Sequence, residues 1–403
     1  MERMKPKMNN CVPLISLSKI ISGGTPSKRI PEYWNGDIPW ISAKTMKVDR
    51  VSTSDLFISE EGLCAGSKLA PIGSILILTR GSELFNRIPI CYVEKEVAFN
   101  QDVKCIIPNE SVVGEFLYYA LLSKKTELLN KIGVTGIGAG KLDTDDLKNL
   151  KIPICSKGKQ LQLIKFIRQF DIKISCNTDE IETMNALLFS IYTELFKEPE
   201  DITKATIPGW RLSNVFHEVI ENCNKNRDEK PLPVLSVVKE GEFKASEEVF
   251  TKQVYSKSTK NYKMVCRNQV AYNPARANIG SIAMLKEFDI GLVSPVYTVF
   301  KVKEDITPTY FYYYMKQPMF LEMIKHHAIG TTRQNFPFEA FKMFPIVVPP
   351  MELQLKFEEI AKPIEQKIAK LKEENEVLAE IRDTLLPKLM SGELPVEVGE
   401  ANG

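Results

Sequence analysis

The chain is poor in the residues that metal and redox chemistry use. It has three histidines, and His326-His327 stand together with no acidic or cysteine ligand at metal spacing. The eight cysteines, Cys11, Cys64, Cys91, Cys105, Cys155, Cys176, Cys223 and Cys266, are scattered without a CxxC pair. That pattern argues against a zinc site or a disulfide framework and predicts reduced thiols, mostly core filler. No run approaches the roughly 20 apolar residues a membrane span needs, and the opening "MERMKPKMNN" lacks the apolar core of a signal peptide. The expected location is the cytoplasm, with no membrane partner. Nucleotide loops are lacking too. "TGIGAGKL" at 135–142 departs twice from G-x-x-x-x-G-K-[ST], having Thr135 for the first glycine and Leu142 for the final Ser/Thr. There is no G-x-G-x-x-G loop for a methyl donor. No Asn-Pro-Pro-aromatic tetrad for amino-methyl transfer is present, the nearest stretch being "YNPARAN" at 272–278. A self-sufficient methyltransferase or nucleotide-driven enzyme is disfavoured, and no catalytic residue is assigned.

What the chain does have is a second copy of itself. Its 403 residues, 44% hydrophobic and 26% charged, suit two or three globular domains. "VPLISLSKI" at 12–20 matches "IPGWRLSNV" at 207–215, and "FLYYALLSK" at 116–124 matches "YFYYYMKQP" at 310–318. Gly136/Gly330, Leu142/Phe336, Leu147/Phe341, Leu150/Phe344, Ile152/Ile346 and Gln160/Gln354 then hold an offset of 194, and "SIYTELF" at 190–196 falls on "TLLPKLM" at 384–390. A register kept over so long a stretch identifies two copies of one unit.

Each copy has two textures. The first mixes short β-rich runs such as "GSILILTR" and "SPVYTVFKV" with turn residues, as a mixed α/β (α+β) domain does. The second reads as one long helix. Leu163, Ile167, Phe170, Ile174, Asn177, Ile181, Met184, Leu188, Ile191 and Leu195 step by 4, 3, 4, 3, the heptad seam of a coiled coil. Phe357, Ala361, Ile364, Ile368, Leu371, Asn375, Leu378, Arg382, Leu385 and Leu389 repeat those steps. Two such helices in one chain are expected to pair, antiparallel because a pseudo-twofold relates the copies, as a rod of about 50–60 Å. Asn177 and Asn375 either fix its register or sit near solvent. The domains expected are 12–153, a helix over 154–200, a second mixed domain over 207–346, and a helix with its tail over 347–395. The mixed domains carry an excess of Lys and Arg and the helical parts an excess of Asp and Glu. Basic modules held apart by an acidic spacer suit a polyanion.

Three stretches carry a family resemblance: Gly-Gly-Thr-Pro-Ser followed by Tyr33-Trp34 and "GDIPWIS", the "VVPPMELQ" leading into a helix, and the closing "RDTLLPKLMSGEL". Together they resemble the specificity subunits of type I restriction–modification systems, over about residues 12–396. The first copy departs from the family's pattern, with Cys155-Ser156 and Lys159-Gln160 where Pro-Pro and Glu-Gln are common. The resemblance implies two target-recognition domains alternating with two helical regions, in a non-catalytic subunit that reads a bipartite, asymmetric sequence in double-stranded DNA. It further implies two methyltransferase subunits and restriction translocase–nuclease subunits as partners. S-adenosylmethionine, ATP and magnesium would then reside on those partners, with no cofactor on this chain. A coiled-coil scaffold or adaptor without DNA specificity is the alternative, and DNA binding separates the two.

Within that reading the candidate DNA contacts are polar groups on turns. Gly23-Gly24 would let backbone approach a ligand, Thr25 and Ser27 offer short hydrogen-bonding groups, and Lys28-Arg29 supply charge for phosphate. Arg80 and Arg276 follow corresponding strands, and arginine can take guanine O6 and N7 together; a surface ion pair is the competing role. Asn100, Gln101, Thr331, Thr332, Arg333 and Gln334 are further candidates. Tyr33, Trp34, Trp40 and the run Tyr310–Tyr314 are expected to be packing rather than base-stacking platforms.

Overall fold

The structure is a computed structural model that describes residues 11–136, 138–197, 209–249, 258–329 and 335–396. The chain divides into two compact units, 1–178 with 373–403, and 179–372. Two long helices, Lys157–Leu195 and Met351–Met390, each contribute residues to both.

The first unit is built on a five-stranded sheet in the order Ser18–Ser22, Val103–Pro108, Ile75–Leu78, Ile90–Val93, Arg50–Val51. Its central strand reads Ile-Leu-Ile-Leu, and all four side chains are fully buried. A continuous apolar run rather than an alternating one is what a strand covered on both faces requires. Neighbours in this sheet are antiparallel except the last pair, which is parallel. A four-stranded sheet, Phe57–Ile58, Ile38–Ile41, Val97–Phe99, Leu69–Ala70, adjoins it. The helix Gly114–Leu122 is buried from Phe116 onward, in the same core as Leu163 and Ile167 of the first long helix and Leu386, Leu389 and Met390 of the second.

The second unit carries a four-stranded antiparallel sheet, Val219–Glu221, Thr298–Val302, Val270–Tyr272, Ile282–Met284. Its core is aromatic: Tyr310, Phe311, Tyr313 and Tyr314 of the helix Pro308–Met315 are buried with Tyr192 and Phe357 of the long helices and with Phe196, just past the end of the first. The tyrosine run is therefore packing. In the small ion-paired cluster beside it, Glu218 is buried and accepts from Arg211 at 2.6 and 3.0 Å and from Ser213.

The internal repeat is visible in equivalent bonds. A strand at the start of each copy pairs antiparallel with the strand preceding its long helix, Cys11–Pro13 with Lys151–Pro153 and Arg211–Asn214 with Pro345–Val348. Gln160 and Gln354, both fully buried, then staple the helix starts. The Gln160 side chain accepts from Val113 N at 2.8 Å and donates to Cys155 O at 2.8 Å. Gln354 accepts from Thr307 N at 2.8 Å and donates to Pro349 O at 2.9 Å. Cys155-Ser156 thus supports the same turn as Pro349-Pro350, because the bond needs only a backbone carbonyl.

The two helices run antiparallel within each unit. In the first, Asp171 meets Arg382 at 2.7 Å and Asn177 meets Asn375 at 2.9 Å; in the second, the Tyr192 and Phe357 rings lie 5.7 Å apart. Along the seam Leu163, Ile167, Asn177, Leu188, Ile368 and Leu371 are buried. Phe170, Ile174, Ile181, Met184, Ile364, Asn375, Leu378 and Leu385 are partly so. Asn177 is 1% exposed, which removes the solvent reading for that residue. The cysteines depart from expectation: Cys91 and Cys105 are buried, but Cys11, Cys64, Cys176 and Cys223 are exposed, since so small a side chain is tolerated on a surface. Among the described residues no cluster could hold a metal ion, and no helix is long and apolar enough to cross a membrane.

Candidate nucleic-acid interface

In the first unit four loops meet where the strands Val97–Phe99 and Ile75–Leu78 end. Gly24 N donates to Phe99 O at 2.9 Å, laying the 22–29 loop against the strand end. A Cβ on Gly23 would stand 2.1 Å from Phe99 O, and one on Gly24 2.0 Å from Gly66 O. The close approach that the two glycines permit here is to the chain's own backbone. Trp40 Nε1 donates to Gly24 O and Trp34 Nε1 to Ser27 O, both at 3.2 Å, and the two indoles pack edge to face 5.1 Å apart. This scaffold holds Ser27, Lys28 and Arg29 exposed on its outer side. Lys28 Nζ stands 5.9 Å from the Trp34 ring centroid, and Arg29 N reaches Ser27 Oγ at 3.4 Å.

The 100–102 turn lies beside that loop. Asn100 is 6% exposed; its Oδ1 accepts from Asp102 N and Val103 N, both at 3.1 Å, and its amide donates to Asp102. Asn100 therefore shapes the turn and is not presented as a reader; the physical cause is that asparagine closes such turns on itself. Gln101 is exposed and accepts from Thr25 Oγ1 at 2.6 Å, tying the two loops together. Thr79 N and Oγ1 both donate to Asp102 O, at 2.8 and 3.0 Å, so the next residue, Arg80, projects from the same end.

Arg80 is exposed, and among the described residues no carboxylate is ion-paired with Arg29, Arg80 or Arg276. Arg80 pairs in register with Lys141 of the hairpin Gly133–Val134/Gly140–Lys141. Lys104, which sequence reasoning missed, joins them. Its ammonium donates to Ser22 Oγ at 2.5 Å, and partial burial, then the positive charge of Arg80, lower its pKa. The signal for Lys104 was its place in "VKCIIP", where alternation turns it outward between buried Val103 and Cys105. Lys141, also missed, is partly neutralised by Asp143 at 2.6 Å. Asp102 and Asp143 offset part of this charge, and the exposed Arg80, Lys28 and Arg29, with no ion-paired carboxylate among the described residues, favour an added polyanion.

The second unit presents its arginine by similar means. Asn273 Oδ1 accepts from Ala275 N at 3.1 Å, and Arg276 N donates to Asn273 O at 2.9 Å. The turn Ala277–Ile279 ends on Gly280 at φ +95°, where a Cβ would also meet Lys239 O at 2.4 Å. Arg276 stands exposed at a cleft of about 310 Å³ shared with Ser236, Ser246, Asn273 and Tyr297. Thr331, Thr332, Arg333 and Gln334 lie outside the described residues; Ile329 and Asn335, which bracket them, exchange backbone bonds at 2.9 and 2.8 Å.

One arrangement recurs in both units. Leu142 N, just past the hairpin, donates to Thr79 O at 2.9 Å, one residue before Arg80. Its repeat partner Phe336 N, just past the Ile329–Asn335 bridge, donates to Pro274 O at 2.9 Å, two residues before Arg276. Each unit thus clamps an arginine-bearing turn against a paired loop.

The chain's relatives share this organisation. The family described as "Type I restriction modification DNA specificity domain" matches residues 6–186 and 218–381. The specificity subunit of the type I restriction enzyme MjaIX of Methanocaldococcus jannaschii is 27% identical over 416 aligned positions, covering 94% of this chain and 92% of that one. The EcoR124I/EcoR124II specificity subunit of Escherichia coli is 32% identical over 196 residues, 46% of this chain and 48% of its own length, so that match spans about half of each. A crystal structure of a type I restriction–modification S subunit from M. genitalium superposes with a TM-score of 0.52 at 16% identity, covering 98% of this chain and 99% of that one, which bears on the fold alone. With both halves of the repeat matched, the chain belongs to the type I restriction modification DNA specificity domain family, a specificity subunit whose task is recognition of a DNA target.

Proposed function

We propose that the chain reads a bipartite, asymmetric sequence in double-stranded DNA, one part with each mixed domain, and docks methyltransferase and restriction subunits that carry the chemistry. The observation behind the division of labour is the clamped arginine turn, present once in each unit but differently dressed. Arg80 stands on an edge strand paired with Lys141 and within the electrostatic reach of Lys104, whereas Arg276 stands just before a short helical turn beside a cleft. Different surroundings for the same bidentate donor read different bases. Lys28 and Arg29 serve phosphate, which sets orientation rather than sequence. On this reading the chain performs no bond-making step. Methyl transfer with S-adenosylmethionine, and cleavage driven by ATP with magnesium, occur on the partner subunits.

The test is methylome sequencing of cells that carry the chain with the methyltransferase subunits of its own system. Arg80→Ala is expected to relax one part of the methylated sequence and leave the other intact, and Arg276→Ala to do the reverse. Each lost bidentate contact corresponds to about 1–3 kcal/mol of discrimination at one position. If either variant altered both parts, or neither variant altered any, independent reading by the two turns would be wrong. Absence of methylation with the unaltered chain would favour the scaffold role.

A further inference from the structure

The ten seam positions of the first long helix map one for one onto those of the second at an offset of 194, yet the polar residues do not map onto one another. The fifth position is Asn177 in the first helix and Leu371 in the second; the sixth is Ile181 and Asn375; the eighth is Leu188 and Arg382. In the folded chain Asn177 Nδ2 donates to Asn375 Oδ1 at 2.9 Å and to Glu374 at 3.1 Å. A fifth position therefore faces a sixth. Arg382, 8% exposed, binds Asp171 at 2.7 Å.

Because every other seam position is apolar in both helices, a helix could in principle pair with the same helix of a second copy. In a pair of first helices, Asn177 would face Ile181 at two places and Asp171 would face Leu188 at two more. In a pair of second helices, Asn375 would face Leu371 twice, while Glu365, the repeat partner of Asp171, would face Arg382. Both like pairs forfeit the matched Asn–Asn contact and set each amide against a hydrocarbon side chain. Glu180, the repeat partner of Glu374, still offers Asn177 a carboxylate in a pair of first helices, and Asn375 is only partly buried, so the cost is that of a lost matched contact at each place. The charge pair adds a penalty for first helices only.

We propose that the Asn177–Asn375 contact, backed by Asp171–Arg382, is a pairing code by which the two halves of one chain select each other and reject the same half of a second copy. The two mismatched amides disfavour each like pair by about tenfold in all, roughly threefold apiece. Rejection is stronger for first helices than for second ones.

The full-length chain tests this, because Cys176 is exposed one residue from Asn177 and the second helix contains no cysteine. A short bis-maleimide can join Cys176 to Cys176 of another copy only where first helices lie together. Ile181→Asn with Asn375→Ile keeps the composition but moves both asparagines onto the first helix, so that like pairs become matched and the intrachain pair mismatched. Asn177→Leu with Asn375→Leu makes the seam uniformly apolar there. Each protein is unfolded in urea, refolded, checked for helix by circular dichroism, sized by mass photometry and mapped after linking. The unaltered chain is expected as a monomer without the Cys176–Cys176 peptide. The relocated variant is expected as a dimer rich in it, and the apolar variant as a mixture with about tenfold more of it than the unaltered chain. A monomer as pure as the unaltered chain, from either variant that regains helix, would overturn the proposal.

Discussion

Arg382 sits where the other copy of the repeat has leucine, and its removal offers a sharp test of how the first unit is held together. The guanidinium contacts Asp171 at 2.7 Å, Asp383 at 2.9 Å and Asp49 at 3.4 Å. Burial opposes its charge, but the carboxylates outweigh burial and raise its pKa further. Asp171 is only 14% exposed at the side chain and also accepts from Tyr119 Oη at 2.5 Å. Arg382→Leu therefore leaves a largely buried carboxylate with one neutral donor and a second carboxylate nearby. Breaking a buried pair from one side costs about 3–5 kcal/mol. For a unit of roughly 200 residues that corresponds to a fall in melting temperature of about 6–20 °C. Replacing both partners, Arg382→Leu with Asp171→Leu, removes the desolvated charge as well, so the double variant is expected within about 1–2 kcal/mol of the unaltered chain. Thermal unfolding of the parent, the double variant and both single variants, Arg382→Leu and Asp171→Leu, followed by circular dichroism, gives the four values of the cycle. A single variant that melts within about 2 °C of the parent, or a double variant as unstable as the single, would refute the view that Asp171 depends on Arg382.

The remaining expectations concern one acid and one glycine. Burial opposes ionisation of Glu218, but hydrogen bonds from Arg211, Ser213 and His217 prevail and hold its carboxyl at about 2, against an ordinary value of 4.5. Its folded pKa lies below its unfolded one, so the stabilisation is complete above about pH 4.5 and is lost as pH falls toward about 2. Glu218→Gln should lower the stability of the second unit at pH 7 and flatten that acid limb; an unchanged pH profile of melting would contradict it. Gly24→Ala places a methyl 2.0 Å from Gly66 O, a backbone atom that cannot swing aside, and should cost about 1–3 kcal/mol in a thermal melt. A melt equal to the parent's would show that the 22–29 loop is not seated as described.

Much of the architecture was legible because it is periodic. A repeat at a fixed offset and a 4, 3 seam survive in any sequence whose faces must meet, and the two long helices and the paired copies follow from them. Sheet order was not legible, since Ile75–Leu78 reads the same in any central strand. The candidate interface was legible only in part. Comparing turns after corresponding strands put Arg80 and Arg276 forward, and both are exposed, but Asn100 is buried within its own turn. Asparagine that closes a turn and asparagine that reads a base look identical in sequence, and only burial tells them apart. Gly23 and Gly24 are ambiguous for a related reason: a glycine reports that something comes close, and here the chain's own backbone does. Lys104 was overlooked because it sits within a strand rather than on a turn.

The first unit is discontinuous in sequence, and this has a consequence for its synthesis. Leu386, Leu389 and Met390 belong to the same core as Leu14, Phe116 and Leu163, yet the whole of 179–372 is translated between the two sets. At roughly 5–20 residues per second, the apolar face prepared by the early residues waits about 10–40 s for its cover. The second unit, whose residues are contiguous, closes in the meantime. The half that leaves the ribosome first is thus the half that finishes last, and its exposed core during that interval is where chaperone capture or aggregation would begin.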